Sequence, residues 1–229
     1  MLAIIAFAEC RSRCRIGIRM PHTVYLYSMN TPPPYAELVC TSNFSFLTGA
    51  SHPQELVARA AELGYSAIAI TDECSMAGVV RALEEARRCA ERDWPIQLIP
   101  GSFFRLEDGS RLVLLPENHL GYTQICTLIT KGRRDAEKGQ YALPDSRFER
   151  GLEHCLAIWL PAEKRGQVQE PDPILLANWL TAYFPNRCWM GFSLHLGPDD
   201  QQRRARLMNI AHGAGLPVTA CGDVQMHRR

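Results

Sequence analysis

From about residue 36 onward, short apolar runs alternate with longer segments whose apolar residues recur at helical spacing. The short runs predict strands at 36–40, 67–70, 96–99, 111–115, 155–160, 189–194 and 217–220. The longer segments predict helices near 53–63, 76–91, 121–134, 174–183 and 199–213. Strands that alternate with helices of this length indicate an α/β fold of parallel units, which here would close or nearly close into a barrel.

Residues 1–34 follow a different pattern. The apolar stretch 1–8 has no basic residues before it and is too short to cross a bilayer, so it predicts neither a signal peptide nor a membrane anchor. Three prolines at 32–34 predict a stiff, non-helical spacer, because proline fixes φ and removes the amide donor. We therefore expect a leader and spacer at 1–34 and one folded domain at 35–229.

Charge and cysteine content narrow the function classes. The net charge of +1 does not predict strong DNA binding by this chain alone, because such binding usually requires a basic domain or a clustered basic face. The nine cysteines are scattered without a C-x-x-C pair, which indicates reduced, buried thiols in a cytoplasmic protein. Cys40, Cys74 and Cys221 lie at predicted strand ends, so a soft-metal or redox role is the alternative for them.

Two segments carry the most specific signal. The first, 42–53, brings small polar residues and a glycine into a helix that starts at Pro53. The second, 70–79, places Asp72 and Glu73 at the end of an apolar strand, where α/β folds locate their chemistry. With 101–109, 111–115, 128–139, 194–200 and 222–227, these segments resemble the PHP (polymerase and histidinol phosphatase) domain. The form they resemble stands at the N-terminus of bacterial C-family DNA polymerases of the error-prone, DnaE-type branch.

The resemblance covers residues 35–229 and implies a distorted seven-stranded (β/α) barrel. It also implies a cluster of His, Asp and Glu ligands for two or three divalent metals at the strand ends. Several of these ligand positions carry other residues in this chain. Val39 and Thr41 stand in place of the two histidines of the His-x-His motif, and Phe103 stands in place of a Glu. Arg111 stands in place of a His, and Gln225 in place of the His of the Asp-x-His motif. Asp72 and Asp223 are kept, and Glu73 replaces a His.

What remains predicts a weak, degenerate metal site of Asp72, Glu73 and Asp223, with His195, Arg111 and Gln225 as candidate lining residues and no catalytic residue. We expect no resident cofactor, with weak Mg²⁺ or Mn²⁺ binding as the alternative, since oxygen ligands favour hard cations. The guanidinium of Arg111 is expected to neutralise one of the two aspartates through a charge-assisted hydrogen bond. Two of these residues have a second interpretation. Asp72 is alternatively the N-cap of the following helix, and His195 is alternatively a structural residue.

The function that the resemblance implies is that of one domain of an error-prone DNA polymerase, a family that acts in translesion synthesis and DNA repair. We expect a structural and interaction role here, because the polymerase palm, fingers and DNA-binding modules are not in the sequence. Its expected partners are the remaining polymerase domains and, through them, DNA and translesion accessory proteins. The basic run 131–138 is expected to be a solvated helix face. A stand-alone, metal-dependent PHP phosphoesterase is the alternative function.

Overall fold

The structure is a computed structural model that describes residues 34–106, 109–144, 146, 148, 152–162, 173–195 and 197–228. The predicted leader and spacer at 1–34 lie outside the described residues, apart from Pro34.

Strands and helices occur where the sequence predicts them. The strands are β1 (Ala36–Cys40), β2 (Ala67–Glu73), β3 (Gln97–Arg105), β4 (Arg111–Pro116), β5 (Cys155–Leu160), β6 (Cys188–Phe192) and β7 (Val218–Ala220). The helices of the described part are α1 (Pro53–Glu62), α2 (Val79–Glu91), α3 (His119–Arg134), α4 (Pro173–Tyr183) and α5 (Asp200–Ala214). The largest difference is in β3, which continues to Arg105 although Pro100, Gly101 and Ser102 interrupt its apolar run.

The strands form one curled sheet in the order β1 to β7, which confirms the predicted distorted seven-stranded α/β fold. Its strands are not all parallel, however, because β4 is antiparallel to both β3 and β5. The prediction of uniformly parallel units is therefore wrong at β4. Residues 106–110 join β3 to β4, and a parallel crossover needs a connection of about a dozen residues or more.

The two faces of the sheet bury different side chains. On the outer face, Leu112, Leu114 and Trp159 share an apolar cluster with residues of α3, α4 and α5, while α1 and α2 pack with Ile68 and Ile70. On the inner face, Phe103 lies opposite Val113, which in turn lies opposite Ile158. These inner residues belong to a cluster that also contains Val39. The helices thus cover the outer face of the sheet, and side chains of the strands themselves fill the concave inner face.

The segment after β7 closes the curl. Val224 forms a parallel bridge with Cys40: its N–H donates to the Val39 carbonyl at 3.0 Å, and its carbonyl accepts from the Thr41 N–H at 2.8 Å. The final strand ends before this point, so the sheet edges meet through a short irregular segment. The barrel of this chain is therefore distorted where it closes.

All seven described cysteines are free thiols, and six of them are buried, whereas Cys10 and Cys14 lie outside the described residues. Cys40, Cys74 and Cys221 belong to three different apolar clusters, and burial raises the pKa of each thiol. None of the described helices combines the length and the apolar character that crossing a bilayer requires.

Candidate functional site at the barrel mouth

Every strand except β4 ends at the same edge of the curled sheet, and β4 begins there because it runs in the opposite direction. We call this edge the mouth. The mouth cavity, of about 300 Å³, is lined by residues that include Arg105, Arg111, Ser193, Arg203, Asp223 and Gln225. A neighbouring loop cavity, of about 860 Å³, is lined by residues that include Phe44, Phe46, Glu73, Arg105, Tyr141 and Leu143.

Arg111 and Asp223 form a bidentate ion pair at the mouth cavity. Nη1 of Arg111 donates to Oδ1 of Asp223 at 2.8 Å, and Nη2 donates to Oδ2 at 2.6 Å. Charge-assisted pairs of this forked geometry are among the stronger polar interactions in proteins. The predicted contact of Arg111 with an aspartate is therefore confirmed, and Asp223 is the partner. The guanidinium carbon lies 5.7 Å from the centre of the buried Phe103 ring.

A second ion pair flanks the same ring. Nε of Arg105 donates to Oε1 of Glu73 at 2.9 Å, and Nη2 donates to Oε2 at 3.3 Å. The Tyr141 hydroxyl adds a hydrogen bond to Oε1 at 2.9 Å. The guanidinium carbon of Arg105 lies 5.8 Å from the Phe103 ring centre. Arg105 and Arg111 lie opposite each other on β3 and β4, both near the Phe103 ring, and each is paired with a carboxylate predicted above as a metal ligand.

Arg133 fastens the end of β2 to a loop. Its guanidinium donates to the carbonyls of Glu73 and Cys74 and, on the other side, to those of Gly139 and Gln140. These bonds are 3.3 to 3.4 Å long. At this position the basic run 131–138 is therefore more than a solvated helix face.

Asp72 is buried beneath the loop 42–51, which follows β1 and which we call the mouth loop. Its Oδ1 accepts from the Ser42 N–H and the Ser45 hydroxyl, and its Oδ2 accepts from the Ser42 hydroxyl, all at 2.8 Å. Burial raises the pKa of the Asp72 carboxyl, and these three hydrogen bonds oppose the rise. Helix α2 begins seven residues after Asp72, at Val79, with Gly78 as its N-cap, so the N-cap interpretation of Asp72 is wrong.

Glu37, a buried carboxylate inside β1, was not among the predicted site residues. Its oxygens accept from the Tyr35 hydroxyl at 2.9 Å, from the Val39 N–H at 2.9 Å, and from the Gly222 N–H at 3.0 and 2.9 Å. Burial raises the pKa of Glu37, and hydrogen bonds from Val39, Gly222 and Tyr35 oppose this. An acidic residue two positions before Val39, on the same side of an apolar strand, was the available signal.

The two remaining candidates lie in different places. Gln225 lines the mouth cavity, and its carbonyl accepts from the Ala50 N–H at 2.8 Å, which ties the mouth loop to the closing segment. His195 is exposed and lies outside both cavities. The structure thus brings Arg111, Asp223 and Gln225 together and separates His195 from them.

These side chains do not fit a multinuclear metal centre. Each of the three carboxylates already accepts hydrogen bonds from the protein. Asp72 accepts from two serines, Glu73 from Arg105 and Tyr141, and Asp223 from Arg111. Within the described ranges, no three His, Cys, Asp or Glu side chains come together so that they could hold a metal ion. Weak binding of Mg²⁺ or Mn²⁺ by the three carboxylates stays a prediction.

Comparisons with known proteins agree with the fold. Residues 37–171, more than half of the chain, match the family model described as "PHP domain". A structure of a protein proposed to be a metal-dependent phosphoesterase, from Bifidobacterium adolescentis, superposes with a TM-score of 0.60 at 15% identity, covering 86% of this chain and 90% of that one. An amidohydrolase from Chromobacterium violaceum reaches a TM-score of 0.50 at 14% identity, covering 83% of this chain and 87% of that one. The chain belongs to the PHP domain family.

Within that family, the chain is similar to error-prone DNA polymerases. It is 51% identical over 195 residues to that of Pseudomonas aeruginosa and 51% identical over 196 residues to that of Methylococcus capsulatus. In both cases the match covers 85% of this chain and 18% of the relative. The chain therefore corresponds to the PHP region of proteins several times its length.

Proposed function

We propose that this chain is the PHP domain of an error-prone DNA polymerase and that its role is structural, with a mouth that has lost its metal centre. We assign nucleotidyl transfer to the part of the full-length polymerases that lies outside the region similar to this chain. Under this proposal the domain contacts the remaining polymerase domains in the cytoplasm, and DNA and translesion accessory proteins through them. DNA repair and translesion synthesis are the processes in which the complete enzyme would act.

The observation that carries the proposal is the arrangement around Phe103. Where the family resemblance implies metal ions, the chain has a buried aromatic ring with two neighbouring arginines, Arg105 and Arg111, whose guanidinium carbons lie 5.8 and 5.7 Å from its centre. The two guanidinium groups supply permanent positive charge opposite Glu73 and Asp223, which metal ions would otherwise supply. An apolar ring cannot donate a lone pair to a metal, and a guanidinium repels one.

Metal content and hydrolysis test the loss of the metal centre. The purified chain is dialysed against Mn²⁺, Zn²⁺ or Mg²⁺, then against metal-free buffer, and analysed by mass spectrometry for bound metal. Hydrolysis of p-nitrophenyl phosphate is measured on the same samples, with the Bifidobacterium adolescentis protein as comparison. We expect substoichiometric metal and no metal-dependent hydrolysis. One or more equivalents of retained metal together with metal-dependent turnover would establish the stand-alone phosphoesterase instead.

A chimeric polymerase tests the structural role. This chain replaces the 51%-identical region of the full-length Pseudomonas aeruginosa polymerase, and primer extension by the chimera is measured. We expect a folded, active chimera, because a domain that only supports the enzyme tolerates replacement by a similar domain. A chimera that is insoluble or inactive contradicts the proposal.

A further inference from the structure

The mouth loop carries apolar side chains that point away from the domain. Phe46 is 86% exposed and Leu47 is 91% exposed, and Phe44 beside them is partly exposed. Single exposed apolar residues are ordinary, but a contiguous exposed patch marks an interaction site. We call Phe44, Phe46 and Leu47 the loop patch, and Phe44 and Phe46 also line the loop cavity.

The loop that presents this patch is fixed in place. Its base is held by the three hydrogen bonds to Asp72, and its return limb by the bond from the Asn43 N–H to the Ser51 carbonyl at 2.8 Å. Leu47 has φ +61°, a left-handed conformation that costs a non-glycine residue about 1 kcal/mol. A strained, well-anchored loop that holds two large apolar groups in water is pre-organised for binding, because little conformational entropy remains to be lost.

The surroundings of the patch are cationic. The Arg81 guanidinium carbon lies 5.4 Å from the centre of the Phe44 ring. Arg105, Arg133 and Glu73 are the charged residues that line the loop cavity; Arg105 is paired with Glu73, whereas Arg133 bonds backbone carbonyls, so the cavity has one net positive charge. A complementary surface therefore presents apolar side chains flanked by carboxylates.

From this we propose that the loop patch and loop cavity are the surface on which the rest of the polymerase packs, through a segment with apolar anchors and acidic neighbours. This inference rests on the proposed function. The relatives have most of their length outside the matched region, so a large intramolecular partner is available to cover the patch. A polymerase domain is favoured over single-stranded DNA because Leu47, the most exposed member, has no aromatic face on which a base stacks.

The test places Phe46→Ala and Leu47→Ala together in two settings, the 229-residue chain alone and the chimeric polymerase described above. The matched control carries Leu63→Ala and Trp94→Ala, two half-exposed apolar residues at the opposite ends of the strands. Thermal melting of the patch and control variants is measured in both settings. For the chimera, the rate at which a protease releases the PHP region is measured as well.

In the chain alone, we expect the patch variant to melt like the parent, since its side chains contact mainly water. In the chimera we expect protease release to be about tenfold faster, because two buried apolar anchors are lost. The control pair should leave release unchanged. An unaffected patch variant in an active chimera overturns this inference and leaves the proposed function standing, whereas an inactive parent chimera overturns both.

Binding of the 229-residue chain to a fluorescent oligo-deoxythymidine measures the nucleic-acid alternative. We expect no binding that depends on the patch. Micromolar binding that is lost in the patch variant would overturn the inference in favour of a nucleic-acid surface.

Discussion

Arg111 and Asp223 are 112 residues apart in the chain, yet their side chains meet in two parallel hydrogen bonds. Arg111 begins β4, and Asp223 lies in the short segment that closes the sheet against β1. The contact exists because β4 runs antiparallel and therefore starts at the mouth. One ion pair thus links the middle of the sheet to its closure, at positions where the family resemblance implies a metal.

We expect this ion pair to contribute measurably to stability. Its side chains are 22% and 15% exposed, so solvent screens them less than a surface pair. Single changes Arg111→Ala and Asp223→Ala should each lower the free energy of unfolding, with a coupling energy of about 2 kcal/mol in urea titrations of the double-mutant cycle.

The exposed pair Arg59 and Glu62 on α1 is the matched control, with side chains 41% and 37% exposed at 2.9 Å. Its coupling energy should be about 0.5 kcal/mol or less. Equal coupling energies for the two pairs would show that the mouth ion pair stabilises the domain no more than an exposed surface pair does.

A side chain at Gly222 should destabilise the domain. A Cβ at this position would clash with Oε2 of Glu37, the carboxylate that accepts the Gly222 N–H. Gly222→Ala must displace a buried, hydrogen-bonded group, and we expect a loss of about 2 kcal/mol. Gly213→Ala in α5 is the control, because its Cβ would lie 3.7 Å from Ile174, and alanine is the better helix former. Thermal melts should move in opposite directions, and a neutral Gly222→Ala would count against the close approach.

Stability should fall as Glu37 ionises. Burial raises its folded-state pKa above 4.5, so its favourable contribution is complete below that pH and is lost as the pH rises through the folded pKa. Relative to Glu37→Gln, the parent should therefore lose stability from about pH 4.5 upward. Asp72, whose pKa is also raised, is present in both proteins and cancels. A difference in unfolding free energy that stays constant from about pH 4 to about pH 8 would contradict the buried-carboxylate interpretation.

The sequence predicted the order and type of every described strand and helix, because turn residues bound the segments; the apolar period is clear in α1, α2 and α3 but weak in α4 and α5. It did not predict the direction of β4, since periodicity reports which face is buried and carries no information on strand polarity. Charge predicted that Arg111 pairs with Asp72 or Asp223 but did not distinguish the two, and the pairing of Glu73 with Arg105 depends on the register between β2 and β3. Glu37 was missed because the alternation of side chains along β1, which places it on the same face as Val39, was not applied to an acidic residue.

Finally, Asp72 should determine the rigidity of the mouth loop. Asp72→Ala leaves the Ser42 N–H and the hydroxyls of Ser42 and Ser45 without their buried acceptor, which should cost about 3 kcal/mol. Native-state chymotrypsin cleavage beside Phe46 should then accelerate strongly, since the loop opens before the domain unfolds. Asp199→Ala is the control, because Asp199 precedes α5 without a side-chain capping bond, and it should leave cleavage unchanged. Equal cleavage rates for the two variants would mean that the loop is held by its backbone hydrogen bonds alone.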